Sequence, residues 1–173
     1  MLRGLLYGIV LTLGVLALGA YAGIRTGVLP ANADARPGKF ERWAAGQSLR
    51  ASVARGAPAT ANPVPPTAEN LTAGLRLYAA NCAVCHGTST GKASATRIAR
   101  GLYQAPPQFA DEGIADDPPG VVYWKVRHGI RLTGMPSFSR SLTAKQLWQV
   151  SLFVQSIDKL PPSVRSRWKA LKI

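Results

Sequence analysis

Both cysteines of this chain and one of its two histidines lie within five consecutive residues, Cys82-Ala83-Val84-Cys85-His86. Thiols and imidazoles bind soft metals and react as nucleophiles, so their concentration predicts a chemical site. A structural disulfide between the two cysteines would constrain very little of the chain and would leave the histidine unexplained. A thiol–disulfide redox pair also has the C-x-x-C spacing, but such a pair normally opens a helix after a strand, and here a helix is predicted before it.

A zinc site and a covalent haem are the two remaining interpretations of this motif. Zinc needs about four ligands, and the chain offers only the three motif residues and His128. C-x-x-C-H is the specific signature of haem attachment, in which the thiols of Cys82 and Cys85 add to the haem vinyl groups as thioethers. His86, the next residue in the turn, is then placed to bind the iron from one face. We therefore predict one covalent haem c.

A low-spin haem that transfers electrons also needs an axial ligand on the opposite face of the iron. The methionine at the N-terminus belongs to an apolar segment, which leaves Met135 and His128 as candidates. Met135 lies in "RLTGMPSFSR", where Gly134 and Pro136 favour a tight loop that presents the thioether inward. We therefore predict His86 and Met135 as the axial iron ligands. His128 is the alternative sixth ligand, or else a residue at the surface or near the propionates.

Two helices of clear pattern are predicted to position these residues. The first begins at Thr67, a suitable N-cap, and runs into the cysteine motif with apolar residues at helical spacing. The second runs from Thr143 to about Asp158, with an apolar stripe and a stop at Pro161-Pro162. A short helix is predicted around residues 120–128, and no strand pattern is present. The fold class is therefore all-α, in a domain of about a hundred residues whose long loops require something large to pack around.

An uncharged apolar segment of 21 residues, Gly4 to Ile24, precedes the predicted domain. As a helix it would span about 31 Å, close to the ~30 Å hydrocarbon core of a bilayer. Arg3 and the free amine before it orient the N-terminus toward the cytoplasm. A cleaved signal peptide is the alternative, because residues 20–22 and 31–35 have the small-x-small form of cleavage sites. Both interpretations export the domain, and the length of the apolar run favours a membrane anchor over residues 1–24.

The segment between the anchor and the predicted domain has a different composition. We bound the domain at residues 67–160 and interpret residues 25–66 as a tether, extended near its end by four closely spaced prolines. Within this tether, residues 40–55 are compatible with an amphipathic helix. The apolar residues nearest to one face of that helix are Phe40, Trp43 and Val53.

Residues 161–173 form a basic C-terminal tail. Its apolar residues Val164, Trp168 and Leu171 recur at helical spacing, with arginines and lysines on the remaining faces. Two outcomes are open for such a helix. It packs back on the domain, or it lies on anionic lipid, where Trp168 would suit the interface.

These motifs together resemble the class I (mitochondrial-type) monohaem cytochromes c, and in particular their membrane-anchored bacterial members. The resemblance covers about residues 67–160. It rests on "GLRLYAANCAVCHG" around the haem motif, "GMP" at the methionine loop and "QLWQVSLFVQSI" in the last helix. It implies the cytochrome c fold, all-α around one covalent haem, and a role as an electron carrier rather than an enzyme.

The resemblance also implies two contacts inside the domain. In this family the first and last helices cross where a glycine meets an aromatic residue, and the matching positions here are Gly74 and Phe153. A proline carbonyl after the haem motif accepts a hydrogen bond from the Nδ1–H of the axial histidine. Of Pro106 and Pro107, the second matches better because an apolar residue follows two positions later. Such a bond would fix the ring of His86 and raise its basicity.

Because the protein is predicted to fill both axial positions, none remains at the iron for a substrate. We expect a membrane-tethered carrier that cycles between Fe(II) and Fe(III) and exchanges electrons with respiratory or periplasmic redox partners. A fixed cytochrome c subunit of a membrane dehydrogenase or terminal oxidase is the alternative. A third hypothesis is a ligand-binding or peroxidase-like haem from which Met135 dissociates. The expected location is the cell inner membrane, crossed once through residues 4–24, with the haem domain on the periplasmic side.

Charge bears on the partners, since the chain has a formal net charge of +13 from 21 Lys and Arg against 8 Asp and Glu. Nucleic acid is not expected, because the domain is exported and no basic motif with interleaved aromatics is present. An acidic cluster comprises Asp111, Glu112, Asp116 and Asp117. The basic residues in the loops that surround the haem in this family are Lys92, Arg97, Arg100, Lys125, Arg127, Arg131 and Arg140. We expect either a solvated basic surface without a target or docking onto acidic redox partners or an anionic membrane.

Overall fold

The computed structural model of the chain describes residues 2–28, 30–114 and 116–173, without the side chains of residues 93 and 94. The predicted all-α class is confirmed, because every regular element in these ranges is helical. The α-helices are α1 (Leu2–Arg25), α2 (Lys39–Gly56), α3 (Ala68–Asn81), α4 (Ala83–His86), α5 (Arg97–Gly101), α6 (Phe109–Glu112), α7 (Pro119–His128), α8 (Ala144–Gln155) and α9 (Pro162–Ala170). Short 3₁₀ helices cover Gly91–Ser94 and Ile157–Lys159. The chain divides into two compact units, Met1–Ala35 and Arg36–Ile173.

The first unit consists mainly of α1, whose 24 residues would extend about 36 Å. Within the described part of the chain it is the one helix long and apolar enough to cross a membrane, and none of its residues is buried. Thr12 Oγ1 donates to the carbonyl of Gly8 at 2.9 Å, so this hydroxyl is satisfied inside the helix. An apolar helix without a buried face is consistent with a membrane anchor rather than with a core helix.

The core of the second unit is built on the crossing of α3 and α8. Both helices begin at the predicted threonine caps: Thr67 Oγ1 accepts from the backbone N–H of Asn70, and Thr143 forms a capping box with Gln146. The buried residues of α3 and α8 form one cluster, which also receives side chains from α7. These caps satisfy the first free N–H groups of each helix, and the apolar stripes supply the buried surface.

The C-terminal tail is part of the same core. Val164 is fully buried and Trp168 is 4% exposed. The Trp168 ring lies edge-on to Tyr78 of α3 and Phe153 of α8, with centroid separations of 5.4 and 5.5 Å. Of the two outcomes left open by the sequence, the structure therefore has the tail packed on the domain, with the Trp168 ring out of reach of lipid.

The segment before α3 is also packed against the domain rather than extended away from it. Val53 of α2 is buried, and Gly56 lies so close to Trp124 of α7 that an added Cβ would be 2.6 Å from the indole nitrogen. Further along, Asn62 Nδ2 donates to the carbonyl of Trp148 at 3.0 Å, and Val64 belongs to the core cluster. The compact unit therefore begins at residue 36, whereas the sequence-based division placed a tether over residues 25–66 and a domain boundary at residue 67.

The first half of α2 is different from its second half. Phe40 is 76% exposed and Trp43 is 58% exposed, and their rings contact each other with centroids 5.7 Å apart. Of the three residues predicted to share the apolar face of this helix, only Val53 is buried. The helix thus presents an aromatic pair to solvent close to the point where it begins.

Candidate functional site

The cysteine motif lies at the junction of α3 and α4. The backbone N–H of Cys82 donates to the carbonyl of Tyr78 and so continues the first helix, while the N–H of His86 donates to the carbonyl of Cys82 at 2.9 Å. The turn ends at Gly87, which has a φ of 76°, and the Tyr78 hydroxyl donates to the Gly87 carbonyl at 2.8 Å. Tyr78 itself is fully buried. This buried bond fixes the end of the turn that carries the three motif residues.

The two thiols, the imidazole and one thioether line a single cleft of about 130 Å³. The walls are largely apolar, contributed by residues that include Leu102, Ala105, Pro106, Val126, Ile130, Pro136 and Phe138. The structure thus places Cys82, Cys85, His86 and Met135 around one apolar space, although Met135 is 49 residues from His86 in the chain.

His128 does not line this cleft. Its exposed side chain lies beside Trp124, with ring centroids 5.0 Å apart. A zinc site made of the three motif residues and His128 is therefore not assembled. Among the described residues, no group of three or more histidine, cysteine or acidic side chains is arranged to hold a metal ion.

His86 is oriented by two neighbours. Its Nδ1 lies 2.9 Å from the carbonyl oxygen of Pro107, and its ring stacks on Phe109 with centroids 4.3 Å apart and an interplanar angle of 7°. Because a carbonyl can only accept, Nδ1 carries the proton and Nε2 is the nitrogen with a free lone pair. Burial lowers the pKa of His86, and the bond to Pro107 opposes this effect only in part. The ring is therefore a neutral imidazole suited to binding a metal through Nε2.

The state of the thiols bears on the alternative of a redox pair. Both cysteines are free, and burial together with the neighbouring Cys85 raises the pKa of Cys82 to about 12. Cysteines that exchange disulfides have lowered pKa values, because the thiolate is the reactive form. The environment of Cys82 is the opposite of that, so Cys82 is not suited to be the attacking thiol of a redox pair.

Met135 is held by a loop attached to the end of α7. Its N–H donates to Thr133 Oγ1 at 3.1 Å, and its carbonyl accepts from the N–H of Ile130 at 3.1 Å. Gly129 has a φ of 67°, and an added Cβ there would lie 2.6 Å from the Met135 carbonyl oxygen. Only glycine combines that backbone conformation with so close an approach. The loop is therefore a defined structure that brings the thioether into the cleft.

Sequence reasoning missed three residues that shape this site: Tyr78, Gln108 and Gly129. Gly129 directly after a helix is a common C-terminal signal and could have been recognised. Tyr78 fits the apolar spacing of α3 in the sequence, and nothing in that spacing predicts the bond from its hydroxyl to Gly87. Gln108 is 5% exposed, and nothing in the local sequence distinguishes it from a surface glutamine.

The donor set and the walls of the cleft fit a haem. Two thiols one helical turn apart, a neutral imidazole beside them and a thioether from a distant loop surround an apolar space, with few polar groups to desolvate. A site for a polar, hydrated ligand would instead be lined mainly by polar side chains.

Comparison with known proteins agrees with this fit. A protein-family model described as cytochrome c oxidase, cbb3-type, subunit III matches residues 69–154. The matched range runs from the start of α3 nearly to the end of α8 and contains every predicted ligand, while α1, α2 and α9 lie outside it. Neither the comparison with curated proteins nor that with solved structures gave a match.

Proposed function

We propose, on the premise that residues 69–154 are a class I monohaem cytochrome c domain, that this chain transfers electrons through one covalent haem c. The observation that carries the proposal is the convergence of Cys82, Cys85, His86 and Met135 on one apolar cleft. When bound, haem supplies an iron that accepts and releases one electron.

Each of these side chains has a distinct part in the proposal. Cys82 and Cys85 would hold the cofactor as thioethers, and His86 Nε2 and the sulfur of Met135 would bind its iron. The Pro107 carbonyl keeps the imidazole in the required tautomer and makes it a stronger donor. A histidine–methionine pair in an apolar cleft raises the reduction potential and leaves no axial position for substrate, which is the arrangement of a carrier.

A second cleft adjoins the first. It shares Gln104, Ala105, Ile130 and Thr133 with the first cleft, is also lined by Arg42 and Arg131, and is lined by neither cysteine. Haem carries two propionate carboxylates, and the guanidinium groups of Arg42 and Arg131 would serve as their counter-charges.

The proposed location is a membrane surface outside the cytoplasm. α1 supplies the anchor, with the basic Arg3 on the cytoplasmic side, and a cleaved signal peptide is the alternative for the same helix. Redox partners with acidic surfaces would complement the exposed basic side chains of the domain. Arg97, Arg100, Arg127 and Arg140 are exposed, whereas Lys125 is paired with Asp117 at 2.8 Å. Association should then slow as salt is added.

A fixed subunit of a membrane oxidoreductase is the second candidate. The description of the matching family model, a subunit of a cytochrome c oxidase, favours it. So does the exposed pair of Phe40 and Trp43, because exposed aromatic side chains are enriched at protein interfaces. Detergent extraction at low salt should distinguish the two functions. A carrier elutes alone, whereas a subunit co-elutes with a larger complex, and Phe40→Ala with Trp43→Ala should weaken that association.

The test of the proposal itself is the fate of the haem. Thioethers survive denaturation, so haem should stay with the polypeptide in acidified organic solvent and should be lost when Cys82 and Cys85 are both replaced. The bound haem should also be oxidised and reduced reversibly in one-electron steps. Extraction of the haem into the solvent would refute covalent attachment, and turnover of a substrate at the iron would refute the carrier role.

A further inference from the structure

Gln108 is a buried polar residue beside the site, without a role in ligand binding. Its side-chain amide donates two hydrogen bonds: Nε2 lies 2.9 Å from the carbonyl oxygen of Cys85 and 3.1 Å from that of Pro106. The residue is 5% exposed. Both bonds are partly buried, so water competes with them less than it would at an open surface.

The two carbonyl groups flank the bond that orients the axial histidine. Cys85 immediately precedes His86, and Pro106 immediately precedes Pro107, whose carbonyl accepts from His86 Nδ1. The amide of Gln108 thus links the backbone on one side of the His86–Pro107 bond to the backbone on the other side. The link and the His86–Pro107 bond therefore join the same two stretches of backbone.

Besides the Gln108 amide, the loop is held by the His86–Pro107 bond, by the stacking of Phe109 on His86 and by the N–H groups of Asp111 and Glu112, which donate to the Gln108 carbonyl. Two consecutive prolines supply no backbone N–H donors. Among the described residues, the N–H of Gln108 itself donates to Glu112 Oε1 at 3.5 Å. The Gln108 side chain is therefore the donor that connects this stretch to the haem-binding turn.

The amide of Gln108 has one favourable orientation, with Nε2 toward the two carbonyl groups and Oε1 away from them. Gln108 Oε1 is buried and has no hydrogen-bond partner among the described residues. Rotating the amide by half a turn would satisfy neither carbonyl and would bring three oxygens together. An unsatisfied Oε1 costs free energy. The two bonds made by Nε2 offset that cost and fix the orientation of the amide.

We propose that Gln108 is a positioning residue for the axial ligand: by clamping Cys85 and Pro106 it holds the Pro107 carbonyl against His86 Nδ1 and so sets the donor strength of the imidazole. This inference rests on the proposed function. A stronger bond at Nδ1 makes the imidazole more electron-rich, which favours Fe(III) and lowers the reduction potential. Loosening the clamp should therefore raise the potential.

Gln108→Leu in the full-length holoprotein tests this inference, because it keeps the volume of the side chain and removes both donors. We expect the Fe(III)/Fe(II) equilibrium to move toward Fe(II) by about three- to tenfold, the upper value corresponding to about 59 mV for one electron. Exchange of the His86 Nδ1 proton with solvent, followed by NMR, should become faster. The matched control is Gln149→Leu, since Gln149 is also buried but bonds to Asn70 at 3.0 Å across the α3–α8 contact.

The control separates a positioning role from a merely structural one. Gln149→Leu should lower stability and leave both the potential and the exchange rate unchanged. Equal potentials for wild type, Gln108→Leu and Gln149→Leu would overturn the inference. If Gln108→Leu yields no holoprotein, Gln108→Met is the second variant, because it keeps the length of the side chain. If neither variant yields holoprotein while Gln149→Leu does, Gln108 is needed for assembly of the protein. That result would also overturn the inference. Failure of the proposed function is distinct, because wild type would then lack covalent haem.

Discussion

Gly74 of α3 lies directly against Phe153 of α8, so that a Cβ added to the glycine would be 2.7 Å from the Phe153 Cβ and would overlap the carbonyl oxygen of Gln149. The closest obstacle is backbone, which cannot rotate away as a side chain can. The absence of a side chain at residue 74 therefore sets how closely the two helices approach, and with it the position of the haem motif at the end of α3.

Gly74→Ala should destabilise the domain despite the higher helix propensity of alanine. Overpacking of this kind typically costs about 1–3 kcal/mol, and the measurement is denaturant unfolding of the holoprotein. Gly101→Ala is the control, because no atom lies within 4 Å of a Cβ built there. Equal stabilities of the two variants would mean that α3 and α8 can separate without cost.

Trp168→Ala should also destabilise the protein strongly. The ring is 4% exposed and contacts Tyr78 and Phe153, so its removal leaves a cavity in the core. The expected loss is about 3–5 kcal/mol. Trp43→Ala, at an exposed position, should change the free energy of unfolding by less than about 0.5 kcal/mol. A stable Trp168→Ala variant with weakened binding to anionic vesicles would instead support the lipid role considered from the sequence.

Replacing Met135 tests the second axial ligand. Met135→His should retain a six-coordinate haem and lower its reduction potential, because the thioether favours Fe(II) more than imidazole does. The weak long-wavelength absorption expected of ferric iron bound to methionine sulfur should disappear. His128→Ala should leave spectrum and potential unchanged, since its side chain lies outside the cleft. An unaltered spectrum in Met135→Ala would contradict the assignment.

Tyr78 should make the stability of the domain depend on pH in the alkaline range. Burial raises the pKa of the phenol well above its ordinary value of 10.0. The unfolded chain then loses this proton at a lower pH than the native protein, so the stabilisation is complete below about pH 10 and declines as the pH rises beyond it. Unfolding free energies of wild type measured across this range should show the decline.

Tyr78→Phe separates two contributions of this residue to stability, namely its hydrogen bond to Gly87 and the titration of its phenol. Below pH 10 it should cost about 1–3 kcal/mol, because the carbonyl of Gly87 loses its buried donor. The alkaline decline should become shallower in the same variant. Tyr123→Phe is the comparison, since the Tyr123 hydroxyl accepts a long bond from Arg127, at 3.3 Å, and donates to no group among the described residues. An identical alkaline slope in wild type and Tyr78→Phe would assign the decline to another group.

Features encoded by neighbouring residues could be predicted from the sequence alone. The thiols and imidazole of the haem motif are within one turn of each other, so their spacing carries the chemistry without knowledge of the fold. Thr67 and Thr143 cap their helices through N–H groups three residues away, and the apolar run of α1 needs no partner to be recognised. Such features depend on bond geometry and helical periodicity, which are the same in every protein.

Tertiary structure decided which surfaces are buried and which carbonyls are paired. Trp168 joins the core because Tyr78 and Phe153 offer matching ring edges, and Val64 joins it after the turn held by Asn62 and Trp148. The sequence of a basic amphipathic tail or of a proline-rich segment does not show whether the domain has an apolar surface for it to pack against. Gln108 shows the same limit on the polar side, since its partner Cys85 is 23 residues away. The free energy of these contacts comes from excluding water between distant parts of the chain, and only the fold brings those parts together.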